Sequence, residues 1–341
     1  MSLHKMLWLR NSSSEVLMMN PPHTIATEIC VSNLGNQTFQ FFLLGLSDLT
    51  HSRIPLVLLF LLIYFITIAE NLLIIVLVVT DSHLQTPMYF FLGNLSVIDI
   101  ATPSVTVSHL PADIFSGKKL ISYSNCTAQI FFYTWFVTTE VFILSVMSYD
   151  RYVAICHPLH YTTIMSICMC IRLEVIAWVF GFMYSLMHSL PLLRLSFYEF
   201  VTIEGSFCEL YQLIQLSCSD TYFNNLLIHL SGIYIVAVIA VSLIPYTFIF
   251  KAVKKIKMED GGQKAFSTCS SHLTVVAIFY GTIIFNYFLP KPVAAGRVLS
   301  VIYTVFIAFL NPIIYSLRNK QLKSALHRIL AKVRFGPKPV R

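Results

Sequence analysis

Charge is scarce in this chain: Asp, Glu, Lys and Arg together make up 11% of it, against about 25% in ordinary soluble domains. Glycine is sparse as well, 12 in 341 residues, and no Gly/Ser-rich or charged low-complexity tract interrupts the sequence. The first shortage argues against a soluble enzyme and the second against separate domains joined by linkers. The formal charge of +7 does not make a nucleic-acid surface, because long apolar runs break any continuous basic face. What is plentiful is apolar: 56% of residues are hydrophobic, with 27 Phe and 17 Tyr. A single membrane-embedded domain follows.

A bilayer core about 30 Å thick takes roughly 20 apolar helical residues to cross. Seven runs reach that length: Ile54–Thr80, Met88–Pro111, Cys126–Tyr152, Cys170–Leu192, Tyr222–Phe250, Ser271–Leu289 and Val298–Leu317. Lipid offers the backbone no partners, so each is expected as a helix. The fold class is therefore an all-α membrane protein, a seven-transmembrane helix bundle over 54–317. A partly disordered extracellular segment (1–53) precedes it and a cytoplasmic tail (318–341) follows. With the N-terminus outside, 15 of the 23 Lys and Arg fall on the cytoplasmic side, so N-out, C-in is the favoured orientation at the plasma membrane. No signal peptide is read in the first fifty residues, which leaves the first crossing as the signal anchor. The sequons at Asn11 and Asn36 would then face the lumen and accept glycans, while the one at Asn94 lies inside a crossing and is discounted.

The same topology sorts the cysteines. Cys30, Cys126, Cys208 and Cys218 fall in the oxidising compartment and are the four able to pair, whereas Cys156, Cys168, Cys170 and Cys269 lie at or near the cytosol. Cys168 and Cys170 lack a second ligand pair, so no metal site is expected there. Ionisable residues at membrane depth are costly and thus functional suspects. Asp99 and Glu140 stand out, with Asn71 and Asn311 as polar company. Two carboxylates meeting in a buried pocket would share a proton or hold a small cation such as Na+; alternatively each is a neutral acid hydrogen-bonded to a neighbouring helix. At the end of the third run, Asp150 beside Arg151 and Tyr152 can form an ion pair at the cytoplasmic border. In the seventh, Asn311-Pro312 with Tyr315 one turn later makes a kink able to act as a hinge. Plain interfacial solvation and a common membrane proline are the simpler readings of these two motifs taken singly.

Taken in order, Leu84–Ser96, Met147–Cys156, Ser217–Thr221, Lys264–Leu273, Phe279–Thr282 and Asn311–Asn319 give a stronger result. The chain resembles the rhodopsin-like G-protein-coupled receptors, and more narrowly the olfactory receptors, from about Asn36 to Lys332. The resemblance implies a receptor that binds a small, neutral, hydrophobic odorant and activates a stimulatory olfactory-type heterotrimeric G protein, raising cAMP, with no enzymatic activity and no cofactor. It assigns Asp150, Arg151, Tyr152, Tyr246, Asn311, Pro312 and Tyr315 to the G-protein switch, and Asn71, Asp99 and Glu140 to an ion- or proton-sensitive site that could take Na+. It pairs Cys126 with Cys208. It lines the ligand pocket with Tyr133, Thr134, Val137, Thr138, Leu230, Tyr234, Ile283, Ile284, Tyr287 and Thr304. It makes 318–332 a short amphipathic helix on the anionic bilayer. A trafficking chaperone joins the expected partners; nucleic acid does not. Tyr133 stands where amine receptors of the wider family carry Asp, and no lysine occurs between Arg297 and Lys320 for a retinal Schiff base.

The chain also departs from the family pattern, with Glu70 for Gly, Tyr198 for a loop Cys, Pro245 for Ser and Ala308 for Pro. Tyr198 deprives Cys218 of its usual partner, with Cys30 as a substitute whose reach is not set by sequence. These departures raise the alternative of a receptor that folds but traffics or signals poorly. A transporter would show inverted repeats and an intramembrane enzyme a His/Glu or Ser/His/Asp cluster at membrane depth; neither pattern is found.

Overall fold

The structure, a computed structural model, describes residues 30–31, 40–43, 53–107, 120–198, 201–203, 207–255, 262–288, 305–316 and 320–335. Among the described residues, five helices are long and apolar enough to cross a membrane: α1 (Arg53–Thr80), α2 (Pro87–Val107), α3 (Tyr123–Cys156), α4 (Ile167–Leu192) and α5 (Tyr222–Lys255). Shorter apolar stretches lie in α6 (Gly262–Phe288) and α7 (Val305–Ser316), and α8 (Lys320–Phe335) follows.

Capping, not hydropathy, decides where α3 and α4 begin. The Ser122 hydroxyl accepts from the Asn125 N–H at 3.2 Å and the Ser166 hydroxyl from the Met169 N–H at 3.4 Å, so both helices start before their apolar runs do. Pro103, Pro191 and Pro245 lie inside α2, α4 and α5 without ending them, as membrane helices with packed neighbours tolerate.

Helix α3 is the hub, touching α2, α4, α5 and α6, while α1 lies along α2. The α3–α4 seam is close enough to require glycine at 181. A Cβ there would stand 3.0 Å from the Trp135 carbonyl oxygen and would collide with Thr139 Oγ1, the small-residue packing that lets membrane helices approach. Across the same seam Ser185 Oγ donates to the Phe131 carbonyl at 2.5 Å and Trp135 Nε1 to the Trp178 carbonyl at 3.0 Å. Phe91, Leu95, Ile98, Leu144 and Val276 form part of the buried core. Leu62, Phe65, Val179, Met183 and Ile233 are exposed on the outside, the pattern of a bundle whose outer solvent is lipid.

Two small sheets close one end. In the first, β1 (Cys30–Val31) pairs antiparallel with β4 (Phe197–Tyr198). In the second, β2 (Gln40–Leu43) is central, antiparallel to β3 (Leu120–Ser122) and parallel to β5 (Val201–Ile203). Thus two strands are described within 1–53, the segment expected to be partly disordered. Beneath them Phe41, Tyr123 and Phe197 meet edge-on or tilted, with centroids 5.1 to 6.1 Å apart, and the Tyr123 hydroxyl donates to the Leu192 carbonyl.

At the opposite end α8 docks against the α1–α2 turn. Leu322 and Ala325 are buried in the core, the Tyr89 hydroxyl donates to Gln321 Oε1 at 2.8 Å, and Arg328 Nε donates to Asp81 Oδ2 at 2.8 Å.

Candidate functional site

Three sets of side chains lie along α3. The first is next to the lid. Cys126 is joined to Cys208, which sets Phe207 against Tyr133 with ring centroids 5.7 Å apart. Gln129 locks the corner: its Nε2 donates to the Val105 carbonyl at 2.9 Å, and its Oε1 accepts from the Cys208 N–H at 2.8 Å. Tyr133, Thr134 and Val137 are half-buried and Thr138 is buried, so α3 presents one mixed aromatic, hydroxyl and aliphatic stripe below the loop. Tyr234 packs on Phe180 and Tyr184 of α4, at 5.7 and 5.4 Å. Ile283 packs against the core, whereas Leu230 and Ile284 are 51% and 42% exposed. The side chains of Tyr287 and Thr304 lie outside those described, as do Asn11 and Asn36.

The second set is at mid-depth. Asn311 Nδ2 donates to Asp99 Oδ1 at 3.1 Å, to Oδ2 at 3.2 Å and to Glu140 Oε1 at 3.4 Å. One amide therefore bridges two buried carboxyl groups from α2 and α3. Neither enters the described ion pairs, which involve Asp81 and Asp150 only. Asn71 reaches α7 instead: its Nδ2 donates to the Thr67 carbonyl at 3.0 Å and to the Ala308 carbonyl at 3.3 Å. Its buried Oδ1 has no partner among the described residues. Among those residues, no three His, Cys, Asp or Glu side chains cluster in a way that would hold a metal ion.

The third set is at the far end of α3. Arg151 donates from Nε to Asp150 Oδ2 at 3.0 Å and also from Nη2. Asp150 is fully buried, and its other oxygen accepts from the Tyr161 hydroxyl at 2.7 Å. Burial and the adjacent carboxylate push the Tyr161 phenol well above its ordinary value. Tyr152 packs over Phe248 at 5.8 Å and its hydroxyl meets His157 Nε2 at 3.1 Å. The Tyr246 hydroxyl bonds to His272 Nδ1, tying α5 to α6, and the His272 ring lies 6.3 Å from that of Tyr315. A cavity of about 450 Å³ opens between α5 and α6 here, lined by Tyr246, Ile249, Val253, Cys269, Leu273 and Ala277 among others. Further along, a hydroxyl thread joins three helices, from Ser145 to Ser242 at 2.7 Å and on to Tyr280 at 2.7 Å.

Among the contributors that escaped the reading of the sequence are Gln129, Tyr161, Glu174 and the His272 side chain. His272 stands inside the Lys264–Leu273 motif. Glu174, buried and accepting from Trp178 Nε1 at 2.7 Å, is an acid within an apolar run, which alone was reason to single it out. Cys218, whose usual loop partner is replaced by Tyr198, is disulfide-bonded.

A model of the olfactory receptor family matches residues 60–333. Olfactory receptor 5B21 of Homo sapiens is 46% identical over 302 residues, covering 88% of this chain and 98% of its own length. Olfactory receptor 1f45 of Rattus norvegicus is 47% identical over 303 residues, covering 88% and 96%. Squid rhodopsin shares the fold, with a TM-score of 0.59 at 16% identity over 80% of this chain and 84% of its own. The chain therefore belongs to the olfactory receptor family, multi-pass membrane proteins of rhodopsin-like fold that act as signalling receptors and not as enzymes.

Proposed function

We propose that this receptor binds small, neutral, hydrophobic odorants beneath its lid and passes the event along α3 to a stimulatory olfactory-type G protein, raising cAMP. The observation that carries this reading is the shared helix. Tyr133 and Arg151 are 18 residues apart on α3, a span of about 27 Å at 1.5 Å per residue. One rigid element thus joins the capped stripe to the paired guanidinium.

The pocket proposed is Tyr133, Thr134, Val137, Thr138, Leu230, Tyr234, Ile283, Ile284, Tyr287 and Thr304. No member is charged, so binding rests on apolar burial at about 25 cal/mol per Å² and one or two hydrogen bonds to hydroxyls. An ammonium ligand would be left unpaired there. A ligand that prefers one arrangement of α3 and α6 shifts the population toward it. Arg151 then leaves Asp150, the Tyr246–His272 tie loosens, Asn311-Pro312 and Tyr315 act as the hinge, and the α5–α6 cavity widens into a docking groove. Asp99 and Glu140 share one proton or hold Na+ between them. The carboxyl oxygens suit a hard cation, and Asn71 Oδ1 is a buried acceptor with no partner among the described residues. The orientation is N-out, C-in, with Asn11 and Asn36 as glycan acceptors and a chaperone aiding delivery to the plasma membrane.

The test is a cAMP response to a panel of neutral volatiles, at surface levels matched through an N-terminal tag. Arg151→Ala should abolish the response, and Thr138→Ala or Tyr133→Ala should shift the ranking of active odorants. A full response from the Arg151→Ala receptor would overturn the switch assignment.

A further inference from the structure

The cysteine inventory leaves one pairing open. Of eight cysteines, Cys126 and Cys208 are bonded to each other, and Cys156, Cys168, Cys170 and Cys269 carry free thiols. Cys218 is disulfide-bonded to none of these six. That leaves Cys30.

The backbone brings the same two residues to one place. Cys30 lies opposite Tyr198 in the β1–β4 ladder, with Val31 opposite Phe197. From another direction, the Cys218 N–H donates to the Ser196 carbonyl at 3.0 Å, Ser217 Oγ donates to that same carbonyl at 3.0 Å, and the Ser196 N–H donates to Ser219 Oγ at 3.1 Å. Residues 196 and 198 are about 6.6 Å apart along an extended chain. Both cysteines are therefore anchored on the same three-residue stretch, which brings their backbones into one neighbourhood.

We infer that Cys30 and Cys218 form a second disulfide, binding the N-terminal segment to the residues that lead into α5. The N-terminal strand supplies the thiol that the loop lost at Tyr198. The bond is distinct from Cys126–Cys208, and it ties β1 covalently to the entrance of α5, with β4 held to β1 by the backbone ladder. Its formation is an exchange: each cysteine gives up one proton and one electron, and a disulfide-bearing oxidoreductase of the secretory pathway is reduced to its dithiol. It needs the oxidising side of the membrane, as Cys126–Cys208 does.

Peptide mapping of the full-length receptor tests this directly. The protein is blocked with N-ethylmaleimide, stripped of glycans and cut with trypsin together with a Glu-specific protease. Cleavage at Glu28 and Arg53 frees the Cys30 peptide, and cleavage at Glu209 separates Cys208 from Cys218. The expected result is one species containing the Cys30 and Cys218 peptides, which separates on reduction. Recovery of either cysteine carrying maleimide, or of Cys218 joined to any other cysteine, would overturn the inference, as would a reducible dimer that accounts for the linked species. In variants, Cys30→Ser should expose a new thiol at 218 and Cys218→Ser one at 30. The double variant should lose no more surface display than the worse single one; additive losses would count against the bond. Should both single variants stay inside the cell, the wild-type map alone decides.

Discussion

The two ends of α3 are held by different kinds of force. At the lid end there is a described disulfide, three backbone ladders, three interlocked aromatic rings and a further bonded cysteine. At the Arg151 end the ties are side-chain hydrogen bonds from Arg151, Tyr161 and Tyr246. Two thiols there, Cys156 and Cys269, are free. His272 Nε2 and the Tyr315 hydroxyl are buried with no hydrogen-bond partner among the described residues. A neutral hydrogen bond nets about 0.5 to 1.5 kcal/mol and one to a charged group about 1.5 to 3 kcal/mol, whereas a structural disulfide contributes about 2 to 5 kcal/mol. A ligand with a preference of a few kcal/mol can reorganise the second end and not the first. The cap is thus held by stronger ties than the base, where His272 Nε2 and the Tyr315 hydroxyl have no hydrogen-bond partner among the described residues.

The harshest way to break the contrast is to cut the cap. Cys126→Ser should lower surface display more than tenfold relative to total receptor, measured by flow cytometry on an N-terminal tag. A loss of about 2 to 5 kcal/mol exceeds the 1.4 kcal/mol that makes a factor of ten. Display within twofold of wild type would mean that the β3–β2–β5 ladder and the aromatic rings hold the lid without it.

A middle-sized effect is expected at the other end. His272→Phe keeps a flat ring against Tyr315 but removes one hydrogen-bond partner of the Tyr246 hydroxyl, a loss of about 0.5 to 1.5 kcal/mol. That cost falls on the closed arrangement, so ligand-free cAMP should rise several-fold while display stays near wild type. If display collapsed and signalling per receptor did not change, the tie would be structural, and the two ends would no longer differ in kind.

The sequence made the base more legible than the cap. Helices of 21 to 34 residues leave long apolar runs, and Asp99, Glu140, Asp150 and Arg151 stand out as charge where charge is costly. Asn311 meeting both Asp99 and Glu140 shows that three residues from three runs, selected for polarity, do converge. The lid strands have two to four residues each and come from segments far apart, such as Phe41 opposite both Ile121 and Val201. No periodicity survives at that length. Gln129 and Tyr161 were invisible for another reason: each is an ordinary polar residue until a particular backbone N–H or carboxylate arrives beside it. The Pro245 and Ala308 departures also read differently in place. Pro245 leaves α5 continuous, and the Ala308 carbonyl is an acceptor for Asn71.

The smallest effect belongs to a third attachment, the docking of α8, which tests whether a part-buried electrostatic tie counts at all beside the other two. The His83 backbone N–H, with help from Arg328, holds the Asp81 carboxyl down to about 2, below the ordinary 3.8. A depressed carboxylate contributes its full stabilisation above the unfolded value and loses it as pH falls through the folded one. The contribution should therefore be complete from neutral pH down to about 4 and fade between about 4 and about 2. A spin-label distance between α8 and the start of α2 should stay constant down to pH 5 and broaden only below 4. Asp81→Asn should flatten that profile, because no proton is left to bind. Leu322 and Ala325, buried in the core, should keep α8 attached in the variant at neutral pH, since surface pairs contribute little next to burial. Detachment of α8 in Asp81→Asn at pH 7 would make the ion pair, and not the apolar face, the anchor of this helix.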